Sequence, residues 1–451
     1  MTGYREFARY ADERLPRYTS YPTAPHFSAD ISAQDYRAWL SALPATTPGS
    51  IYVHIPFCRS MCWYCGCHTT ITQKDEPIAG YLAALHREVS VVADLPGAAI
   101  AITHVHFGGG TPTIVAPAAF DDLLRLLRTR FRIAADAEIA VEIDPRRLAP
   151  AMAATLANVG VTRASIGVQT FDPAVQQAIN RVQSFEQTAA AVSALRMNGV
   201  RGINFDLIYG LPRQTVHSCI DTVEKCLELR PNRLSVFGYA HVPAFKKHQR
   251  KIIGAELPDA KARVDQAEAI AEMLTAAGYA RIGFDHYALP GDPLQGALAR
   301  GTLRRNFQGY TADSCQTLIG LGASAIGRLP QGYVQNETVI ARYIDQVTQE
   351  GVATARGYGF ATDDLLRAEI IERLMCDLKI DFGRVAAVHP AALDVLAQAM
   401  PQLEALSAEG IVHLDGSAIR VPEQARLLVR TVASVFDAYL MASNRAHSPA
   451  V

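Results

Sequence analysis

From residue 50 to residue 240 the chain alternates between short, apolar, β-branched runs and longer stretches with a helical apolar period. SIYVHIPF (50–57), ITHVHFGGG (102–110), EIAVEIDP (138–145), RASIGVQT (163–170), GINFDLIYG (202–210) and RLSVFGYA (233–240) read as strands. Between them, Ile78, Tyr81, Leu82, Leu85, Val89 and Val92 recur at the 3.6-residue spacing of an amphipathic helix, as do Leu123, Leu124, Leu127 and Phe131. A third helix is expected to end at Gly199. Consecutive βα units of this kind predict a parallel sheet with right-handed crossovers. ARIGFDHYA (280–288) and TLIGLGASAIG (317–327) are candidates to extend it. The fold class is α/β. A partial (β/α) barrel is the first expectation and an open doubly wound sheet the second. Cys58, Gly108–Gly110, Glu142, Gln169 and Asp206 fall at or near the carboxyl ends of successive strands. That rim is where such folds build their sites.

The flanks differ. Residues 1–49 read as an irregular arm and 50–330 as the βα domain, and the pattern changes beyond about 355. There, DDLLRAEIIERLMCDL and ALDVLAQAM read as helices, IVHLDGSAIRV as a hairpin turning at Asp415-Gly416, and EQARLLVRTVASVFDAYL as a last helix. The small, mostly helical, winged-helix-like domain (355–451) carries mixed charges and no basic recognition helix, which favours packing over DNA binding. The 43 Lys and Arg against 44 Asp and Glu leave no global field to attract nucleic acid or an anionic membrane. No run of about 18 apolar residues predicts a membrane span, and the N-terminus shows no secretory h-region. A cytoplasmic monomer is the expectation. Disulfides are rare in the cytosol, so the eight cysteines read as thiols or ligands.

Four of those cysteines lie in CRSMCWYCGC, residues 58–67. Thiolates are soft ligands that suit iron–sulfur clusters, zinc or copper(I). Cys58, Cys62 and Cys65, spaced C-x3-C-x2-C, could hold three irons of a cubane and leave the fourth open to a substrate. A zinc site completed by Cys67 or His68 is the alternative, although zinc sites more often join two separated ligand pairs. VHFGGGTPT is neither a dinucleotide fingerprint nor a P-loop; its glycines permit a tight strand-to-helix turn or a close backbone approach to a ligand. Glu142 could accept hydrogen bonds from an ammonium or a ribose, and Gln169 and Asp206 could act similarly. His54, His104 and His106 read as satisfied strand histidines, not as ligands.

With Tyr64 as its aromatic, the cysteine loop resembles the signature of the radical S-adenosylmethionine superfamily, C-x3-C-x-aromatic-C. The resemblance extends, in order, through PRYTSYPT (16–23), YVHIPFC (52–58), CGC (65–67), GGGTPT (108–113), EIDPR (142–146), GVQ (167–169), NR (180–181), DLIYGLP (206–212), SVFGYAHVP (235–243), RNFQGYT (305–311) and GASAIG (322–327) to the oxygen-independent coproporphyrinogen III oxidases, or coproporphyrinogen dehydrogenases. It implies a 4Fe-4S cluster on Cys58, Cys62 and Cys65, with Cys67 outside the ligand set. It also implies two S-adenosylmethionine molecules. Tyr52, Tyr64, Gly109 and Glu142 would contact the first, with Glu142 the catalytic carboxylate. Gly110, Thr111, Gln169, Arg181, Asp206, Ala240 and Ile326 would contact the second. The implied reaction is decarboxylation of two propionates of coproporphyrinogen III to vinyl groups through a 5′-deoxyadenosyl radical, giving protoporphyrinogen IX, a haem precursor. It needs a one-electron donor such as a flavodoxin or ferredoxin. Four substrate carboxylates would need local bases, with Arg17 one candidate on an arm closing over the substrate. A related haem-delivery family shares the three-cysteine motif but lacks the PRYTSYPT arm and the Cys-Gly-Cys pairing.

Overall fold

The computed structural model describes residues 8–440 together with 448, 449 and 451. Its centre is a 12-stranded sheet. In chain order the strands are β1 (Pro48–Ile55), β2 (Ala101–Gly109), β3 (Arg132–Ile143), β4 (Arg163–Gln169), β5 (Gly202–Tyr209), β6 (Arg233–Gly238), β7 (Ala280–Ile282), β8 (His286–Ala288), β9 (Thr317–Leu321), β10 (Ile326–Leu329), β11 (Gly332–Asn336) and β12 (Thr354–Gly359). Across the sheet they lie in the order β7-β8-β6-β5-β4-β3-β2-β1-β9-β10-β11-β12. From β6 through β1 to β9 every pairing is parallel. Both ends continue antiparallel. The sheet therefore remains open, as a partial barrel of the expected α/β class.

Each parallel strand sorts its residues by parity. Ile51, Val53, Phe107, Val141, Ile166, Phe205 and Leu234 are essentially inaccessible on the outer face. They join one core with helices α1 (Glu76–Ala93), α2 (Pro117–Arg130) and α3 (Phe185–Met197). The alternate positions are polar: Ser50 and Tyr52, His104 and His106, Glu138 and Glu142, Ser165 and Gln169, Asn204 and Asp206, Arg233 and Ser235 line a cavity on the inner face. Local chemistry sets the helix ends. Pro117 occupies the first turn of α2, and Ser184 with Gln187 forms a capping box on α3. Gly199 follows α3 at φ +104°, the conformation a helix stop requires.

The structure departs from the sequence expectations at the periphery. Residues 280–288 form a hairpin, not a single strand, because the chain reverses through Gly283 at φ +55°. The 317–327 segment is β9, which runs beside β1, then a loop and the start of β10. The sheet continues to Gly359 instead of ending at 330, with helix α4 (Ile340–Glu350) between its last strands. The arm is also less irregular than expected. A Ser32–Asp35 capping box starts a helix over Ala33–Ser41 that buries Tyr36 and Leu40. Ser28 bridges to Gly357 of β12, and Arg14–Leu15 pairs with 448–449.

Beyond the sheet, α5 (Thr362–Asp377) and α6 (Ala392–Ala408) pack with a small sheet in which Ala418–Arg420 is flanked by Lys379–Asp381 and His413–Asp415. The expected last helix breaks into a 3-10 turn, Glu423–Leu428, and a short helix, Val429–Ser434. There Arg430 is buried and donates to the carbonyls of Leu15 and Pro16. Tyr18 donates to Asp437 at 3.1 Å, and Tyr21 accepts from the Ala438 N–H. The arm is thus seated between this segment and the sheet. Among the described residues no helix is long and apolar enough to cross a membrane.

Candidate active site

The cysteine loop leaves β1 and turns over the carboxyl-end rim of a cavity of about 690 Å³. Phe57–Cys58 pairs with Thr70–Ile71 and closes the base of the loop. Cys58, Cys62, Cys65 and Cys67 all border the cavity. Among the described residues no three His, Cys, Asp or Glu side chains converge on a single-ion position. Cys58, Cys62 and Cys65 line the same cavity, and a cubane cluster would take one thiolate at each of three irons. Donors and cations reach these sulfurs, although at Cys58 burial outweighs the neighbouring hydroxyls and pushes the thiol up. Thr69 and Thr111 hydroxyls lie 3.3 and 3.4 Å from Cys58 Sγ. Arg181 Nη1 and Arg146 Nη2 lie 3.5 and 3.8 Å from Cys62 Sγ. The Cys67 thiol hydrogen-bonds to Cys65 and pulls that thiol down to about 7.

Beside the loop, the glycines after β2 are needed for packing. A Cβ on Gly108 would sit 2.6 Å from Glu142 Oε1. On Gly109, at φ +118°, it would sit 2.8 Å from the His54 ring, and on Gly110 it would sit 2.5 Å from the Phe57 carbonyl oxygen. The close approach seen is that of the protein's own groups. Glu142 accepts from the Gly109 N–H at 3.2 Å and meets His106 Nε2 at 3.1 Å. Burial pushes its carboxyl up, but the His106 contact and the Gly109 N–H outweigh that and hold it below the usual range. His54, for its part, bonds the Tyr52 hydroxyl at 2.9 Å and the His68 carbonyl at 3.0 Å. The strand histidines are satisfied, as expected, and His54 and His106 are satisfied by the site itself.

Farther along the rim, Gln169 adopts φ +67°, a strained conformation for a residue with a side chain. Arg181 donates to the Gly167 carbonyl at 2.6 Å and stays cationic despite burial because Tyr64, Asp144 and Cys62 face it. Among the described residues Gln169 Oε1 and Arg181 Nε find no hydrogen-bond partner, an unmet demand that a polar ligand would satisfy. Asp206 accepts from Ser165 at 2.8 Å and Asn204 at 2.9 Å; burial raises its carboxyl. Every expected cofactor-contact residue lines the large cavity except Ile326. Ile326 faces a small neighbouring cavity that shares Asn306, Phe307, Thr311 and Asp313 with the large one.

Two features escaped the sequence. Gln249, buried, donates from one amide nitrogen to the carbonyls of Tyr64 (3.0 Å) and Ala240 (3.2 Å), tying the cysteine loop to the end of β6. The other is an ionic cluster opposite the arm. Asp285 accepts from His286 Nδ1 at 2.6 Å and from Arg305 at 3.1 and 3.3 Å. Burial pushes the Asp285 carboxyl up, but Arg305 and His286 hold it well below its usual value. The Arg305 guanidinium lies over the Tyr310 and Phe284 rings, 4.5 and 4.9 Å from their centroids. Arg17 enters the same cavity and donates to the Gly238 carbonyl at 2.7 Å. No signal in the sequence, beyond the RNFQGYT motif itself, joins positions 17, 285 and 305.

Four cysteine thiols around one cavity, cationic side chains beside them and orphaned polar atoms next to those fit a thiolate-bound cluster with a polar organic ligand. The comparisons agree with that chemistry. Residues 52–226 match the model of the radical SAM superfamily, and 361–428 match the HemN C-terminal domain. The fold and site define a radical SAM protein.

The chain is 56% identical to the oxygen-independent coproporphyrinogen III oxidase of Bradyrhizobium diazoefficiens, over 98% of each chain. It is 41% identical to that of Paracoccus denitrificans, over 98% of this chain and 97% of the relative. The solved structure of Escherichia coli coproporphyrinogen III oxidase, a radical SAM enzyme, superposes with a TM-score of 0.90 at 38% identity, covering 95% of this chain and all of that one. The chain belongs to the oxygen-independent coproporphyrinogen III oxidase family.

Proposed function

We propose that this protein decarboxylates two propionate side chains of coproporphyrinogen III to vinyl groups without oxygen, giving protoporphyrinogen IX. The observation that carries the reading is the three-cysteine loop opening onto a cavity rimmed by Glu142, Gln169, Arg181 and Asp206, in a chain 56% identical to a coproporphyrinogen III oxidase. Cys58, Cys62 and Cys65 would hold a 4Fe-4S cluster, which would supply the one electron needed to cleave S-adenosylmethionine to methionine and a 5′-deoxyadenosyl radical. Each propionate then gives up a β-hydrogen atom to that radical, carbon dioxide from its carboxylate and one electron to an acceptor.

The chain's own residues bind, orient and balance charge. Arg146 and Arg181 offset the thiolate charge at Cys62. Glu142, kept ionised, accepts from the ammonium or ribose of a first S-adenosylmethionine beside Tyr52, Tyr64 and Gly109. Gly110, Thr111, Gln169, Arg181, Asp206 and Ala240 receive a second, with Ile326 approaching from the adjoining cavity. Arg17 holds a substrate carboxylate, the arm (1–49) closing over it. His286, which lines the cavity with Nδ1 committed to Asp285, offers a second polar contact for the substrate. The protein works as a cytoplasmic monomer supplied by an external one-electron carrier.

The test is oxygen-free turnover of coproporphyrinogen III by reduced protein with S-adenosylmethionine, beside Cys62→Ala. Protoporphyrinogen IX and methionine should form with the native chain alone. Iron-loaded protein that binds haem yet forms no product would refute the assignment.

A further inference from the structure

The reaction needs an electron from outside, and the fold presents one basic surface against the cysteine loop. Residues 245–251 read FKKHQRK, with no acid anywhere from 240 to 255, in a chain whose net charge is −1. Three of these residues fasten the segment to the loop. Lys246 Nζ donates to the Cys67 carbonyl at 3.1 Å, His248 Nε2 meets the Cys65 carbonyl at 2.7 Å, and buried Gln249 reaches the Tyr64 carbonyl. Lys247, Arg250 and Lys251 are left exposed, and none forms an ion pair among the described residues. Lys251 sits over the Trp63 ring, 5.6 Å from its centroid, so the bases extend across the outside of the loop.

This segment and the loop's other flank expose apolar side chains that a protein normally hides. Phe245 is 66% exposed and Ile253 55%. Val182, 68% exposed, follows Asn180, whose amide is fixed to the Met61 carbonyl on the loop's other flank. Apolar anchors inside a rim of one charge are the anatomy of an interface. Glu256, the first acid after the segment, is engaged by Arg213 at 2.8 Å.

We infer that the 245–253 segment, with Val182, is the docking surface for a small acidic one-electron carrier protein. It rests on the reading above that the loop holds a redox cluster. A carrier seated here would rest on the segment that Lys246, His248 and Gln249 bond directly to the Cys67, Cys65 and Tyr64 carbonyls of the cysteine loop. An acidic partner is selected because the segment concentrates four bases without an acid, whereas the remaining 39 Lys and Arg are outnumbered by 44 Asp and Glu, so attraction for an acidic protein is local to this patch.

The experiment uses the cluster-loaded protein, with an acidic flavodoxin and an acidic ferredoxin as probes. Binding is titrated at about 50 mM and about 500 mM salt, where screening lengths shrink severalfold. The carrier-driven rate of cluster reduction is followed separately by stopped flow. Lys247→Glu with Arg250→Glu should weaken carrier binding roughly 10- to 100-fold at low salt, and Phe245→Ala should weaken it at both salts. Turnover driven by dithionite should stay at the native level in both variants. The inference is overturned if neither carrier binds the native protein, if the charge reversals leave binding unchanged, or if dithionite-driven turnover falls with them. Protein that binds the carrier but carries no iron would refute the cluster reading instead.

Discussion

Glu88 of α1 is 1% exposed and accepts three hydrogen bonds: from the Gly322 N–H at 2.7 Å, Asn336 Nδ2 at 2.6 Å and the Tyr343 hydroxyl at 2.7 Å. Burial is the largest influence on its carboxyl, which rises from 4.5 to about 7 despite those donors. Between those two values the folded protein keeps a proton that the unfolded chain releases. Stability contributed there is therefore full below about pH 4.5 and is lost as pH climbs to about 7. At 1.36 kcal/mol per pH unit the loss is about 3 kcal/mol. Glu88→Gln cannot titrate, keeps one acceptor oxygen and gives up one, at a cost of about 1–2 kcal/mol that does not vary with pH. The variant should be the less stable protein at pH 5 and equal to or more stable than the native chain at pH 8. Urea midpoints of both proteins across that range measure the crossing. Parallel curves would show that Glu88 is ionised throughout and that the reasoning is wrong. The consequence reaches the site, because Gly322 (φ +96°) lies against the His54 carbonyl and the Tyr81 hydroxyl, and Tyr81 itself donates to that carbonyl at 2.6 Å.

Gly109→Ala combines a forbidden φ with a Cβ 2.8 Å from the His54 ring; it should cost about 1–3 kcal/mol and weaken S-adenosylmethionine binding by calorimetry while iron content holds. Asp285→Asn leaves the Arg305 guanidinium buried without its counter-charge, a loss of about 3–5 kcal/mol, visible as a lower melting temperature and a raised KM for coproporphyrinogen III. Deleting residues 1–24 removes Arg17 and the contacts to Arg430 and Asp437. Substrate affinity should collapse while the cluster still assembles, and unchanged affinity in a folded protein would end the idea that the arm covers the substrate.

The parallel core was legible because its two faces obey different rules. In RASIGVQ, Ala164, Ile166 and Val168 go under helices and Ser165 and Gln169 go to the cavity, so a period of two is written in the sequence itself. The cysteine loop was legible because its candidate thiolates are local, all within residues 58–67. The antiparallel margins were not. Residues 280–288 look like one strand since nothing but Gly283 marks the reversal, and that glycine is required because a Cβ there would run into the Tyr310 ring. Gln249 and Asp285 matter through partners tens to hundreds of residues away, and no local pattern distinguishes them from any buried polar side chain. Ile326 shows the opposite case: its motif matched the family, but its position at the start of β10 turns it to the adjoining cavity.

That polar inner face also explains why the sheet stays open. A closed (β/α) barrel fills its interior with layers of Val, Ile and Leu. Here the equivalent positions carry ions. Arg233 meets Asp292 at 2.6 Å and Arg163 meets Glu138 at 3.2 Å at the floor of the cavity. Buried pairs of this kind rarely stabilise a fold relative to apolar packing of the same volume, so the floor is a poor substitute for a core and a good base for a site. Closure is supplied by other parts of the chain. Arg17 of the arm and Asn306, Phe307, Gln308, Tyr310 and Thr311 line the cavity from outside the sheet, and Arg430, from the C-terminal segment, bonds the arm's Leu15 and Pro16 carbonyls. Because those covers are stitched by side-chain-to-backbone bonds and not by sheet pairing alone, they can be weakened without unfolding the sheet. A radical site needs that arrangement: a rigid rim to place the sulfur ligands, and a separate cover to shut water out once the substrate is inside.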